Sequence, residues 1–109
     1  MPISISPETL KEWLDQGKPV YLLDVRQPVE HEFAALKNSV LIPLPDLESS
    51  LDEIKPPQGA AVVVYCHHGV RSLSGAAILE NAGFPPTYSL SGGLDAWSLK
   101  IDPTIPRYR

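Results

Sequence analysis

The sequence predicts an α/β protein with an open, mainly parallel β-sheet and helices on both of its faces. Two short runs, Tyr21–Val25 and Val62–Tyr65, have the near-continuous apolar character of parallel strands that are covered on both sides. Segments with helical spacing of apolar residues alternate with these runs, which is typical of such sheets. Ligands bind these sheets at the carboxyl ends of the strands. The sequence places Asp24 and Cys66 at those ends.

The first half of the chain contains two further helix signals. Ser6 and Pro7 form a favourable start, as N-cap and first helical residue, and Gly17 is expected to end this first helix. Apolar residues recur with helical spacing over Asp46–Ile54, so a second helix is expected there.

The second half of the chain continues the same alternation. A helix is expected to start near Ser72 and to stop at Gly83. Thr87–Leu90 predicts a last short strand. Residues 102–109 predict an irregular tail, because its two prolines oppose helix formation.

Length and composition restrict the class of protein. A chain of 109 residues suits one domain, and 43% hydrophobic with 20% charged residues is typical of soluble globular proteins. No apolar run approaches the roughly 18 residues of a membrane span, and no secretory signal is visible, so we expect a cytoplasmic protein. The formal net charge of -4 gives no support for nucleic-acid binding.

Cys66 is the only cysteine of the chain, and its surroundings indicate a reactive thiol. It lies in a tight loop between a strand and a helix, where backbone N–H groups, the helix N-terminus and Arg71 would favour a thiolate. The alternative is an inert, buried thiol in the core. Two imidazoles, a glycine and an arginine in the same loop make that alternative the weaker one. A single cysteine also excludes an internal disulfide and a resolving cysteine within the chain.

Four motifs together resemble the rhodanese sulfurtransferases. The loop that begins at Cys66 is similar to the family pattern Cys-x-x-Gly-x-Arg-Ser/Thr. The other three motifs, in chain order, are Asp24-Val25-Arg26 with Pro28 and Glu30, then Ile42-Pro43-Leu44, then Gly92-Gly93-Leu94-Asp95-Ala96-Trp97. The resemblance implies a single rhodanese-like domain over residues 1–109, with a sheet of about five strands.

The resemblance also implies a reaction and the residues that perform it. Cys66 is expected to be the nucleophile of a thiosulfate sulfurtransferase that carries sulfane sulfur as a persulfide. The partners would be a small anionic sulfur donor and a thiol or protein acceptor, without nucleic acid or membrane and with neither a cofactor nor a metal. The loop expected to bind the substrate or persulfide consists of His67, His68, Gly69, Val70, Arg71 and Ser72. The supporting residues are Asp24, Arg26 and Glu30.

Several roles stay open at this point. Arg71 either orients the donor or pairs with Asp24 or Glu30, and Arg26 either forms a structural ion pair or borders the pocket. His67 and His68 either bind the donor or point into solvent. A zinc site of Cys66 with these two histidines is not expected, because three adjacent residues do not easily converge on one tetrahedral metal.

Two alternative functions are weighed against sulfur transfer. Tyrosine phosphatases carry Cys-x5-Arg, and the shorter Cys-x4-Arg loop of this chain argues against a phosphate or arsenate site. Many rhodanese-like domains serve as binding or regulatory modules, but those frequently lack the cysteine. One segment departs from the family pattern Gly-His-Ile-x-Gly-Ala, since this chain has Ala34-Ala35-Leu36-Lys37-Asn38-Ser39. The turn before the third strand is therefore in doubt.

Overall fold

The computed structural model describes residues 2–108 and has a five-stranded sheet in which every strand pair is parallel. The order of strands across the sheet is β1-β5-β4-β2-β3. The strands are β1 (Ile3–Ile5), β2 (Val20–Asp24), β3 (Val40–Leu41), β4 (Ala61–Tyr65) and β5 (Thr87–Leu90). The predicted fold class, an open parallel sheet between helices, is confirmed.

Four α-helices connect or follow these strands within residues 2–108, and none of them is long and apolar enough to cross a membrane. They are α1 (Pro7–Asp15), α2 (Pro28–Phe33), α3 (Arg71–Asn81) and α4 (Gly93–Lys100). The start of α1 is as expected, because the hydroxyl of Ser6 accepts a hydrogen bond from the Thr9 N–H at 3.0 Å. Gly83 follows the end of α3 with a φ of 87°, as a C-terminal stop requires.

The helix predicted over Asp46–Ile54 is wrong in type. The chain there forms two 3-10 helices, Leu44–Asp46 and Glu48–Glu53. Ser50 interrupts the second with φ of -119° and ψ of 16°, so its residues do not continue as an α-helix. The apolar residues of this segment still face the interior, since Leu47 and Ile54 are buried in the core.

The sheet separates two apolar clusters, and alternate residues of β4 point into opposite ones. Val63 and Tyr65 belong to the cluster on the side of α1 and α4. Val62 and Val64 belong to the cluster on the side of α3 and the 3-10 helices. All five residues of β4 are buried, which explains the continuous hydrophobicity of this strand.

Candidate active site

Cys66 directly follows β4, at the carboxyl edge of the sheet. Tyr65 is in register with Asp24, the last residue of the neighbouring strand β2. The two strand ends expected from the sequence to carry polar chemistry are therefore adjacent. The loop from Cys66 leads into α3, which begins at Arg71.

The Cys66 sulfur is enclosed by donors from its own loop. The N–H groups of Gly69 and Ser72 donate to Sγ at 3.1 and 3.4 Å. The Ser72 hydroxyl lies 3.6 Å from Sγ and 2.7 Å from the hydroxyl of Ser89 on β5. Cys66 is only 1% exposed. These N–H groups and the start of α3 point at the sulfur, an arrangement suited to an anionic group at this position.

Glycines hold this loop against the end of β5 and the start of α4. Gly69 has a φ of 96°, and a Cβ on it would lie 3.0 Å from the Gly92 nitrogen. Gly93 has a φ of 63°, and a Cβ there would overlap the carbonyl groups of Cys66 and His67. The close approach lets the Leu94 N–H donate to the Cys66 carbonyl at 2.8 Å. The glycine motif near Trp97 therefore fixes the backbone of the reactive loop.

Arg71 pairs with Glu30 of α2. Its two terminal nitrogens donate to the two carboxylate oxygens at 2.7 and 2.9 Å. The hydrogen bonds from Arg71 hold the pKa of Glu30 at about 2, although burial acts in the opposite direction. The guanidinium is thus engaged in joining α2 to the start of α3, which is the structural pairing that the sequence left as one of two options.

Asp24 and Arg26 form a second, fully buried pair. The Arg26 Nε donates to Asp24 at 2.8 Å, and its Nη2 donates to the other oxygen at 2.7 Å. Nη2 also donates to the Ala34 carbonyl at 2.6 Å, and His31 Nδ1 lies 2.8 Å from Asp24. Burial is the largest single influence on the pKa of Arg26 and lowers it, but the hydrogen bonds to Asp24 and Tyr108 together with the charge of Asp24 outweigh burial and raise this pKa, so the guanidinium stays charged. Neither side chain is on the surface, so Arg26 is a structural ion-pair residue at the entry to α2.

The two histidines of the loop have different environments. His68 is exposed over 62% of its side chain, with Nε2 3.7 Å from Asp95. His67 is 8% exposed, and neither of its ring nitrogens has a hydrogen-bond partner within residues 2–108. Burial lowers the pKa of His67, which favours its neutral form. Of the two histidines, His68 points into solvent, as one of the two options held, whereas His67 is buried.

Tyr108 lies in the tail predicted to be irregular, and the sequence gives no sign of its role at the site. The Tyr108 ring stacks on His67, with centroids 3.9 Å apart and planes at 22°. Its hydroxyl accepts from Arg26 at 2.7 Å and donates to Glu30 at 2.9 Å. Burial raises the pKa of Tyr108, which keeps this donor protonated. The only signal in the sequence was an aromatic residue near the end of a polar tail.

The segment that departs from the family pattern keeps a tight turn by another route. Asn38 has a φ of 65°, a left-handed conformation that asparagine tolerates better than most residues other than glycine. The Leu36 N–H and the Ser39 hydroxyl both bond to the hydroxyl of Tyr65, at 3.1 and 2.8 Å. This segment therefore forms a tight turn before β3 without the glycine of the family pattern.

Three side chains that can bind metals lie close together beside the reactive loop. Ligand atoms of His67, His68 and Asp95 lie within 4.8 Å of one another. The two imidazole rings lie one over the other at a tilt, with centroids 3.9 Å apart and planes at 40°, so their in-plane lone pairs do not converge well on one ion. Asp95 is already bonded by Arg107 at 2.8 and 3.3 Å. The donor set fits a metal poorly, and we assign none to it.

An α/β sheet with a cysteine loop at its carboxyl edge defines the class of this protein. The model of the rhodanese-like domain matches residues 6–100. The chain belongs to the rhodanese-like domain family.

Individual relatives agree with this assignment. The chain is 37% identical over 105 residues to the probable adenylyltransferase/sulfurtransferase MoeZ of Mycobacterium tuberculosis, a match that covers 96% of this chain and 27% of that protein. It is 39% identical over 94 residues to the chloroplastic rhodanese-like/PpiC domain-containing protein 12 of Arabidopsis thaliana, covering 80% of this chain and 30% of that protein. The chain thus spans about a quarter to a third of the length of these relatives. A solved rhodanese-like domain protein from Staphylococcus aureus is 28% identical with a TM-score of 0.80, and the match covers 98% of this chain and 99% of that one.

Proposed function

We propose that this chain is a sulfurtransferase that carries sulfane sulfur as a persulfide on Cys66. The Cys66 thiolate attacks the outer sulfur of thiosulfate or a similar donor. A sulfur–sulfur bond forms on Cys66 as the bond between that sulfur and the leaving group breaks, and with thiosulfate the leaving group is sulfite. An acceptor thiolate then attacks the outer sulfur of the persulfide. The acceptor becomes the new persulfide and the Cys66 thiolate is regenerated, so no external oxidant or reductant is consumed.

The observation that carries this proposal is the cradle of N–H groups around the Cys66 sulfur. Gly69 and Ser72 donate to Sγ from the loop and from the first turn of α3. Such donors stabilise an anionic sulfur, either the attacking thiolate or the persulfide that replaces it. The similarity to MoeZ, a probable adenylyltransferase/sulfurtransferase, supports the same reaction class.

The chemistry of the partners follows from the site. Because Arg26 and Arg71 are bonded to Asp24 and Glu30, we expect the charge of a donor to be met mainly by the backbone N–H groups of the loop. The acceptor would be a small thiol or a thiol on a protein, since Cys66 has no second cysteine in this chain to receive its sulfur. We place this reaction in the cytoplasm, where thiols stay reduced.

The test is the intact mass of the purified protein before and after thiosulfate, and again after a reducing thiol. A gain of one sulfur atom that the thiol reverses is the expected result. Cys66→Ser is expected to abolish the gain and to keep the fold, because serine is nearly isosteric at this buried position. A gain that persists in Cys66→Ser would remove Cys66 from the mechanism.

The second candidate is a binding or regulatory module with little turnover. It is favoured if no sulfane donor adds sulfur to a protein whose Cys66 thiol is shown to be free. Hydrolysis of a simple phosphoester would instead point to the phosphatase alternative, which the length of the loop opposes.

A further inference from the structure

Residues 102–108, here called the C-terminal strap, fold back along α4 toward the reactive loop. The Ser98 hydroxyl donates to the Ile105 carbonyl at 2.6 Å, and Ile105 packs against the core cluster on that side of the sheet. Further along, the Arg107 Nε donates to Asp95 at 2.8 Å. The strap is therefore tied to α4 at two points before it reaches Tyr108.

Tyr108 bridges the reactive loop and α2. Its ring lies on His67 of the loop, and the Phe33 ring of α2 meets it edge-on at 5.6 Å. Its hydroxyl lies between Arg26 and Glu30. The side chain of Tyr108 thus contacts three parts of the fold: the reactive loop, α2 and the residues that follow β2.

The burial of Cys66 has a consequence for any molecule that reacts at its sulfur. Sulfur transfer needs an attacking sulfur in line with the bond that breaks, so the rate depends on access. Cys66 is 1% exposed and the neighbouring His67 is 8% exposed beneath the Tyr108 ring. An open cavity of about 370 Å³ lies beside Tyr108 and is also lined by Val29, Glu30 and Phe33, so one side of the ring borders unfilled space.

We propose that Tyr108 is a specificity-determining residue that selects, by size, the molecules that reach Cys66. With the ring on His67, a compact nucleophile reaches the sulfur and a bulky one requires the ring to move. The identity of the reaction rests on the proposed function, but the selection by size does not, because it applies to any reagent that attacks the free thiol.

The experiment measures second-order rates of Cys66 alkylation in the native protein by iodoacetamide and by the bulkier, uncharged N-phenylmaleimide. Tyr108→Ala is expected to accelerate the maleimide reaction by at least about tenfold and the iodoacetamide reaction by less than about threefold, because access and not thiol reactivity is changed. Tyr108→Phe keeps the ring and loses only the hydroxyl, so it is expected to lie between the wild type and Tyr108→Ala.

The control for a general loss of stability is Tyr88→Ala. Tyr88 packs edge-on against Trp13 at 5.2 Å, away from the reactive loop. Equal acceleration of the two reagents in Tyr108→Ala, no acceleration of either, or the same size dependence in Tyr88→Ala would each overturn the proposal.

A second measurement links this selection to sulfur transfer. The persulfide form of the protein is mixed with cyanide or with glutathione, and the ratio of the two transfer rates is compared between wild type and Tyr108→Ala. The ratio is expected to shift toward glutathione by about tenfold. If no persulfide forms, the proposed function fails, and the alkylation rates alone decide the role of Tyr108. If both proteins form the persulfide and the ratio of the two transfer rates is the same in Tyr108→Ala as in wild type, Tyr108 does not select acceptors in sulfur transfer.

Discussion

Replacing Glu30 with glutamine tests whether the Glu30–Arg71 pair holds α2 to the reactive loop. The carboxylate accepts two hydrogen bonds from Arg71, and these, with smaller contributions from the Gln27 N–H and the Tyr108 hydroxyl, lower its pKa from 4.5 to about 2. That fall corresponds to about 3 kcal/mol at 1.36 kcal/mol per pKa unit. The Arg71 side chain is 35% exposed, so solvent screening reduces the expected loss in Glu30→Gln to about 1–2 kcal/mol.

The pH dependence has a defined sign. The folded state favours the ionised form of Glu30, so the pair stabilises the protein fully above pH 4.5, the ordinary pKa of the group, and its contribution is lost as pH falls toward 2. Urea unfolding of wild type and Glu30→Gln is measured at several pH values from 7 to about 2.5. The difference in free energy of unfolding is expected to be largest near neutral pH and to shrink across the acidic range.

Glu32→Gln is the matched control, because Glu32 is an exposed glutamate on the same helix. It is expected to change the free energy of unfolding by less than about 0.5 kcal/mol at any of these pH values. A Glu30→Gln difference that stays constant down to the lowest pH, or one no larger than that of the control, would refute the assigned role of the ion pair.

Two further variants test the loop and the turn before β3. Ser72→Ala keeps the backbone donor to Cys66 but removes the hydroxyl that joins the sulfur to Ser89, so persulfide formation followed by mass is expected to slow by about threefold to tenfold; an unchanged rate would mean that the N–H groups suffice. Asn38→Ala is expected to destabilise the protein by about 1 kcal/mol in thermal unfolding, because its φ of 65° disfavours alanine, whereas Asn38→Gly is expected to be at least as stable as wild type. Equal melting temperatures for the two Asn38 variants would contradict this reasoning.

The elements predicted best are those whose signals are local and strong. The buried strand before Cys66, the capped start of α1 and the glycine that follows α3 were placed to within about one residue, since apolar runs, N-cap residues and left-handed glycines act over a few positions. The failures have physical causes as well. Three residues of β1 carry too little pattern to be recognised, and its hydrogen bonds are made with β5, more than 80 residues away. Helical apolar spacing over Asp46–Ile54 did not distinguish an α-helix from two 3-10 turns, because both bury residues three or four apart.

In the candidate site, too, the features that depend on neighbouring residues in the chain were predictable and those that depend on packing were not. Cys66, the loop glycine and Ser72 follow one another in the chain, so the sequence by itself determined that a thiol lies at the start of a helix with backbone donors around it. It also pointed to a carboxylate partner for Arg71, but it left Asp24 and Glu30 equal, because that choice depends on how α2 packs against α3.

Only the tertiary structure decided what surrounds this loop. Two adjacent histidines look equivalent in the sequence, yet one is buried beneath Tyr108 and the other faces solvent beside Asp95. Their difference comes from α4 and the C-terminal strap, which are remote in the chain and are brought to the loop by the close approach that Gly93 permits. Side-chain burial is a property of such packing, and so the burial of His67 is determined in three dimensions rather than by its position in the chain.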